Sequence, residues 1–342
     1  MSTQLTGTIL RGREFEPVEG RVVIDDGHIT AVEETTTDST DIILPAFVNA
    51  HTHIGDSIAK EAGGGLSLDE LVAPPDGLKH RLLRAASDEE LTHAMARSLR
   101  FMQRSGTGAF LEFREGGTAG VQALERALAD DDLDLTAVVF GRESIEAMEI
   151  SDGFGASGAR DSDFEAERKA TRNADKPFAI HAGERDPDDI DPAFDLDPEL
   201  LVHMVHAQPD HFERLEETET PVAVCPRSNL VTGVGLPPIR QLLDHTTVAL
   251  GTDNVMLNSP SMFREMEFAC KFADVTARET LRMATVAGAD AVGLNCGLIA
   301  EDRNARLLVL DGDSDNLVGA RDPVRAVVRR AGVSDVKRVV LT

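Results

Sequence analysis

Several segments of this sequence carry a histidine or an acid at the end of an apolar run, where a fold could turn them onto one ion. His51 and His53 follow IILPAFVNA as H-T-H. Residues two apart on a strand point to the same side, so both imidazoles could face one divalent metal. Two strand-end histidines that only hydrogen-bond locally are the plainer alternative. His181 closes the strand-like run of PFAIHAGE, with Glu184 three residues on, held near by the compact Ala182-Gly183 link. A buried strand-end histidine is commonly a satisfied core residue, but the neighbouring carboxylate suits acid–base work. His203 and His206 in LVHMVHA lie three apart, so only one can face an interior, and periodicity does not choose between them. Asp253 follows VALGT, where Gly251 permits close approach; an aspartate there could equally cap a helix. Three histidines and one aspartate from separate segments form a donor set for a hard-to-borderline cation. Glu112, Arg114, Arg227, Asn229 and Asn254 follow or end other apolar runs. Each could contact a substrate, or be a rim salt bridge or cap.

Such donors need a frame that gathers distant strand ends. Strand-like runs fall at 41–48, 107–113, 135–141, 149–154, 177–181, 200–206, 221–225 and 247–251. Helical periodicity fills most gaps: 87–104, where Ser87 and Glu90 form a capping box, then 119–129, 163–173, 260–272 and 276–292. The fourth strand and the third helix are cramped. Eight strands with intervening helices predict an α/β fold, a (β/α)8 TIM-like barrel over 45–299. A doubly wound sheet is the rival, yet no G-x-G-x-x-G follows an early strand, and GFGASG at 153–158 lacks that motif's acidic partner. The two ends, 1–44 and 300–342, read as β-rich: QLTGTILRG and GRVVIDDGHITAVEE with an Asp26-Gly27 turn, then ARLLVLD, DPVRAVVRR and DVKRVVLT. They predict a small composite β-sandwich domain. The 55–86 segment, with GGG at 63–65 and PPDG at 74–77, is the natural lid.

Composition narrows the partners. The chain has 342 residues, 60 acidic against 34 basic, and a net charge of −26. That balance argues against nucleic acid polymers and anionic membranes, which select basic patches. Only six of the basic residues are lysine (60, 79, 169, 176, 271 and 337). An acidic, lysine-poor surface suits a high-salt cytoplasm, where self-repulsion is screened, so a halophilic origin is expected. Tyr and Trp are absent, leaving Phe, His and Arg to stack on any ring. The cysteines, Cys225, Cys270 and Cys296, are far apart, which disfavours a disulfide framework or thiolate zinc site. No signal peptide and no apolar run of membrane-spanning length is found, so a soluble, cytoplasmic protein is expected.

Taken in order, the motifs resemble those of the metal-dependent amidohydrolase superfamily, in its aminohydrolase branch of cytosine, guanine and adenosine deaminases and triazine hydrolases. LPAFVNAHTHIGDS looks like its first-strand metal motif, PFAIHAGE like the H-A-G-E of adenosine deaminases, and LVHMVHA like its sixth-strand histidine motif. VAVCPRSNL is similar to its C-P-x-S-N loop and ALGTDN to its final-strand Thr-Asp, and LRMATVAGADAVGL with ARLLVLD resembles its closing segment. The resemblance implies one divalent metal, Zn2+ or alternatively Fe2+, on His51, His53, His181 and Asp253. It implies His203 as the residue orienting the water, Glu184 as the proton shuttle and His206 as a packing residue. The fourth-strand stretch IEAMEISDGFG contains no lysine, so a mononuclear site is expected. The implied reaction is deamination: hydroxide generated at the metal attacks an amino-bearing carbon of a nucleobase, nucleoside or related cyclic amidine, with Asp253 sharing the proton transfer and ammonia leaving. Hydrolysis of a cyclic amide or substituted triazine-like ring at the same site is the alternative. The partner is then a small heterocycle, and a homo-oligomer, a dimer, is implied.

Overall fold

A computed structural model describes residues 2–73 and 75–342; Met1 and Pro74, the first residue of PPDG, lie outside the described residues. The chain opens with β1 (Thr3–Arg11), β2 (Glu16–Asp25) and β3 (His28–Glu34), joined as antiparallel neighbours. Asp26 and Gly27 form the expected tight turn, with φ of 46° and 76°, the left-handed pair a two-residue hairpin favours. β4 (Ile42–Pro45) lies parallel to β1. The next strands are β5 (Phe47–His53), β6 (Thr107–Arg114), β7 (Thr136–Gly141), β8 (Gly153–Ala156) and β9 (Phe178–Ala182). They continue with β10 (Leu200–His203), β11 (Val222–Val224), β12 (Val248–Leu250) and β13 (Asp253–Asn254). β14 (Arg306–Leu310) and β15 (Val336–Leu341) return to the first sheet. The ends therefore share a single six-stranded sheet in the order β15-β14-β4-β1-β2-β3, where a sandwich was expected. Ile9, Val22, Ile29, Ile43, Leu307 and Val340 form its core.

Three expectations are corrected by local chemistry. The 41–48 run is two strands, not one. β4 belongs to the end sheet, and after Ala46, whose N–H donates to the carbonyl of Arg306, β5 starts the second sheet. DPVRAVVRR is a helix, Pro323–Arg329, capped by the Asp322 side chain and burying Val324, Val327 and Val328. An aspartate N-cap, proline at the first turn and i, i+3, i+4 apolar spacing outweigh the β preference of valine. The fourth strand begins at Gly153 rather than 149, because Ser144 caps a short helix over Ile145–Glu149. The capping box at Ser87 and Glu90 forms as expected at the start of helix Asp88–Arg104.

The second sheet is parallel throughout, in the order β12-β11-β10-β9-β8-β7-β6-β5-β13. β12 and β13 are one stretch of chain interrupted only at Gly251 and Thr252, pairing with β11 on one side and β5 on the other. The sheet thus curls back on itself as a TIM-like barrel. Ala109, Leu111, Phe113, Phe140, Ala179, Val202, Ala223 and Ala249 share the cluster that fills it. Gly155 explains the glycine-rich fourth strand: a Cβ there would stand 2.7 Å from the Phe113 ring. No helix among the described residues is long and apolar enough to cross a membrane.

The closing seam is held by a reciprocal pair: Asn49 Nδ2 donates to Thr252 Oγ1 at 2.7 Å, and Thr252 N–H donates to Asn49 Oδ1 at 2.9 Å. Both groups are buried, so removing one leaves the other's hydrogen-bonding atoms unsatisfied. Asn49→Ala is expected to lower unfolding stability by about 1–3 kcal/mol, read from the guanidinium denaturation midpoint. An unchanged midpoint would remove this pair as the clasp of the barrel.

Candidate metal centre and active site

The strand ends bring His51, His53, His181, His203 and Asp253 together, all buried. Asp253 Oδ1 lies 3.3 Å from His51 Nε2 and 3.6 Å from His53 Nε2, while His53 Nε2 and His181 Nε2 are 3.4 Å apart. Four donors about 2.0–2.1 Å from a tetrahedral ion stand roughly 3.4 Å from one another. These three separations match that spacing.

The tautomers agree with it. His181 Nδ1 is 2.7 Å from the carbonyl oxygen of Ala156, so that nitrogen carries the hydrogen and Nε2 keeps its lone pair. His53 Nδ1 lies 2.7 Å from Glu115 Oε1 and is fixed the same way, though the contact is not aligned as a full hydrogen bond. Two lone pairs facing each other at 3.4 Å repel unless a cation sits between them. His51 has no aligned hydrogen bond at either ring nitrogen despite complete burial. Burial pushes the His51, His53 and His181 pKa values down, that of His53 to about 3, so the rings are neutral as a metal requires. Burial opposes ionisation of Asp253, but His51 and the other imidazoles hold its carboxyl well below the usual range. Ser228 Oγ donates to its second oxygen at 2.5 Å. This chemistry fits a divalent metal.

His203 differs. Asn229 Nδ2 donates to its Nδ1 at 3.1 Å, which places the ring hydrogen on Nε2, 3.6 Å from Glu184 Oε2. Glu184 lines the cavity and is the only partly exposed member of a group with His203 and Asp253 whose ligating atoms lie within 4.8 Å of one another. Burial raises its pKa, and the negative charge of Asp253 adds to the effect. His206 lies outside the cavity lining. Lys176, just before the fifth barrel strand, donates to the carbonyls of Met148, Glu149 and Ser151.

Of the further candidates, Asn254 lines the cavity and Asn229 is buried behind it, its amide also 3.4 Å from Glu184 Oε1. Glu112, Arg114 and Arg227 lie outside the cavity lining. Along β6, Leu111 and Phe113 face the barrel interior and Phe110 faces the outer helices, so Glu112 and Arg114 share the outward parity. Glu112 accepts from Thr52 Oγ1 and Ile54 N–H, and Arg114 lies against Gly55. Arg227 instead holds buried Glu265, with Nη1 at 3.2 Å, and Asn258.

Sequence reading missed Glu115, Lys79, Asp56 and Arg142. Glu115 sits one residue past β6 on the inward parity, a signal that alternation alone could have supplied. Its Oε1 is 2.7 Å from Lys79 Nζ and 2.9 Å from Arg142 Nη1, besides His53. Lys79 also reaches Asp56 at 3.1 Å. These pairings join distant segments and leave no spacing to read.

A model of the amidohydrolase family matches residues 42–341. The chain belongs to that family. It is therefore a hydrolase acting on non-peptide C–N bonds of the kind cyclic amidines present. An uncharacterized protein of Methanocaldococcus jannaschii is 34% identical over 366 residues, covering 97% of this chain and 96% of the relative. A 5-methylthioadenosine/S-adenosylhomocysteine deaminase of Haloarcula marismortui is 29% identical over 382 residues, covering 92% and 85%. The zinc-bound adenosine deaminase of Xanthomonas campestris has the same fold, with a TM-score of 0.77 at 20% identity over 97% of this chain and 90% of that one.

Glu265, whose carboxylate contacts Arg227 and which also feels the Asp253 charge, offers a pH test. Burial pushes its pKa up from 4.5 to about 7, against the pull of Arg227. Between those values the folded protein holds a proton that the unfolded chain has lost, so stability falls as pH rises. Glu265→Gln is expected to flatten that decline, on the order of 3 kcal/mol between pH 4.5 and 7, in denaturation midpoints followed across pH. Parallel curves for the two proteins would contradict the assignment.

Proposed function

We propose that this hydrolase is a mononuclear zinc aminohydrolase that removes an amino group from a nucleobase, nucleoside or related cyclic amidine as ammonia. The observation that carries the reading is the placement of Glu184, a carboxyl group with a raised pKa, beside His203 and Asp253 at the edge of the metal donor set. His51, His53, His181 and Asp253 would hold the ion. The relative named as a nucleoside deaminase supports the reaction class.

When bound, zinc supplies a Lewis acid that brings the pKa of a water toward roughly 7. The protein's own groups handle the protons. Asp253, kept ionised, is the acceptor for the proton that leaves the attacking water, and Ser228 fixes its orientation. His203, with its hydrogen on Nε2, orients that water, held in register by Asn229. Glu184 begins protonated and gives its proton to the ring nitrogen next to the carbon under attack. It then takes the remaining proton of the added oxygen and passes it to the departing amine, which leaves as ammonia, and the proton held by Asp253 returns to Glu184 for the next cycle. Asn254, at the cavity wall, is placed to contact the ring. Leu68, Val72, Ala73 and Leu257 give the lid side an apolar lining, which together with the absence of Tyr and Trp selects a flat ring by shape rather than by stacking on large aromatics.

An ammonia-release screen of purines, pyrimidines, pterins and their nucleosides in molar potassium chloride, with zinc measured on the same sample, tests the reading. Glu184→Gln is expected to retain one zinc per chain while kcat falls about 10²–10⁴-fold. A Gln variant with full turnover would remove Glu184 as the shuttle. Release of a group other than ammonia from a triazine-like or cyclic amide substrate would replace deamination as the reaction.

A further inference from the structure

The lid carries a charged residue that the proton transfers above do not use. Helix α1 (Leu68–Val72) and helix α2 (Leu78–Ala85) cover the cavity mouth. Lys79, near the start of α2, is the only buried member of the six lysines in the chain. Burying an ammonium is costly unless it is paired with good geometry. Lys79 Nζ has two carboxylates at close range, Glu115 Oε1 at 2.7 Å and Asp56 Oδ2 at 3.1 Å, though neither contact is aligned as a full hydrogen bond. The same Glu115 oxygen stands 2.7 Å from His53 Nδ1, on the far side of the ring from the ligating nitrogen. One carboxylate oxygen therefore joins the lid to a metal ligand.

The lid has other attachments. Ala59 and Leu71 are buried against Met256, with Ile58, Val72, Leu78 and Leu82 partly buried beside them. On the opposite wall Asp69 of α1 pairs with Arg185, next to Glu184, but both side chains are well exposed, and exposed pairs contribute little and are screened by salt. The Lys79–Glu115 pair, 4% and 3% exposed, is shielded from that screening.

We propose that Lys79 is a positioning residue: by docking on the Glu115 oxygen that orients His53, it makes the seating of α2 over the cavity and the ligating orientation of His53 a single event. Arg142 shares the same oxygen at 2.9 Å but comes from the barrel rim, so it neutralises Glu115 without reporting on the lid. Coupling of this kind is reciprocal: what fixes His53 must also hold α2. The inference rests on the metal centre proposed above.

Amide hydrogen exchange in α2, measured on the full-length protein in molar potassium chloride with zinc bound and after chelation, tests it. Zinc is expected to slow exchange across α2 by about tenfold or more in the wild type. In Lys79→Met, which keeps most of the stem and loses the charge, that protection disappears and zinc affinity, read by competition with a chromophoric chelator, weakens about 10–100-fold. Lys79→Arg restores part of both. A purely structural ion pair would instead leave α2 exchange indifferent to zinc in every variant. Uptake of one zinc per chain with unchanged α2 exchange in the wild type overturns the coupling alone, and needs no variant to fold. A wild type that takes up no metal removes the metal centre, and the coupling with it.

Discussion

The last barrel strand can lie against β5 only because position 251 has no side chain. A Cβ there would stand 2.7 Å from the His51 Cβ and 2.8 Å from its backbone nitrogen. That contact brings Asp253 to β5 in register with Thr52, and so puts its carboxylate within 3.3 Å of His51 Nε2. The chain is bent to do it: Asp253 has φ of 55°, and on another strand His203 and Met204 have φ of 79° and 52°. Left-handed backbone at non-glycine residues costs on the order of 1–3 kcal/mol each and persists only where the surroundings determine it. Both bends flank the same donor set, so barrel closure and site assembly are one packing problem.

Electrostatics divides two glutamates that stand three residues apart. Glu112 and Glu115 are both buried at the end of β6. Burial pushes the Glu112 pKa up to about 8, with Arg114 only partly offsetting it. Burial acts on Glu115 in the same direction, yet His53, Lys79 and Arg142 hold its carboxyl well below the usual range. Side-chain parity decides the outcome. The outward residue fastens Thr52 and Ile54 behind the strand that carries His51 and His53, and the inward one becomes the charged anchor of the His53 ring. A carboxylate with permanent charge keeps the hydrogen on His53 Nδ1, leaving Nε2 free to ligate.

Much of this was legible because it is local. H-T-H, the H-A-G-E segment and Asp253 sit at strand ends whose apolar runs are unmistakable, and the Ser87 capping box follows from four residues. The glycines of the fourth strand carried a signal too, since Gly155 makes room for Phe113. What escaped was of two kinds. IILPAFVNA is uniformly apolar, and nothing in it reveals that Ala46 parts two sheets; the division is imposed by pairing with Arg306 from the far end of the chain. Lys79 escaped because its partners Asp56 and Glu115 are reached only through the fold. Glu112 and Arg114 were drawn toward substrate by their nearness to a strand end, without regard to which side of β6 they occupy.

The same geometry limits what the net charge can say. The buried cations Lys79, Arg114, Arg142 and Arg168 each lie within 4 Å of a carboxylate, and seven acids are buried among the described residues, so most of the excess of acid lies on the surface. A charge of −26 thus describes the solvent-facing shell, where it opposes long polyanions. It carries no information about the molecule entering the cavity. There the walls combine Asp161, Glu184, Asp189 and Asp253 with Lys79, Arg142, Arg160 and Arg185, and a bound divalent ion would add positive charge to that set. The cavity walls are thus balanced where the outer surface is not, since each of those cations already faces a carboxylate, and the charge of a bound divalent ion would set the local sign.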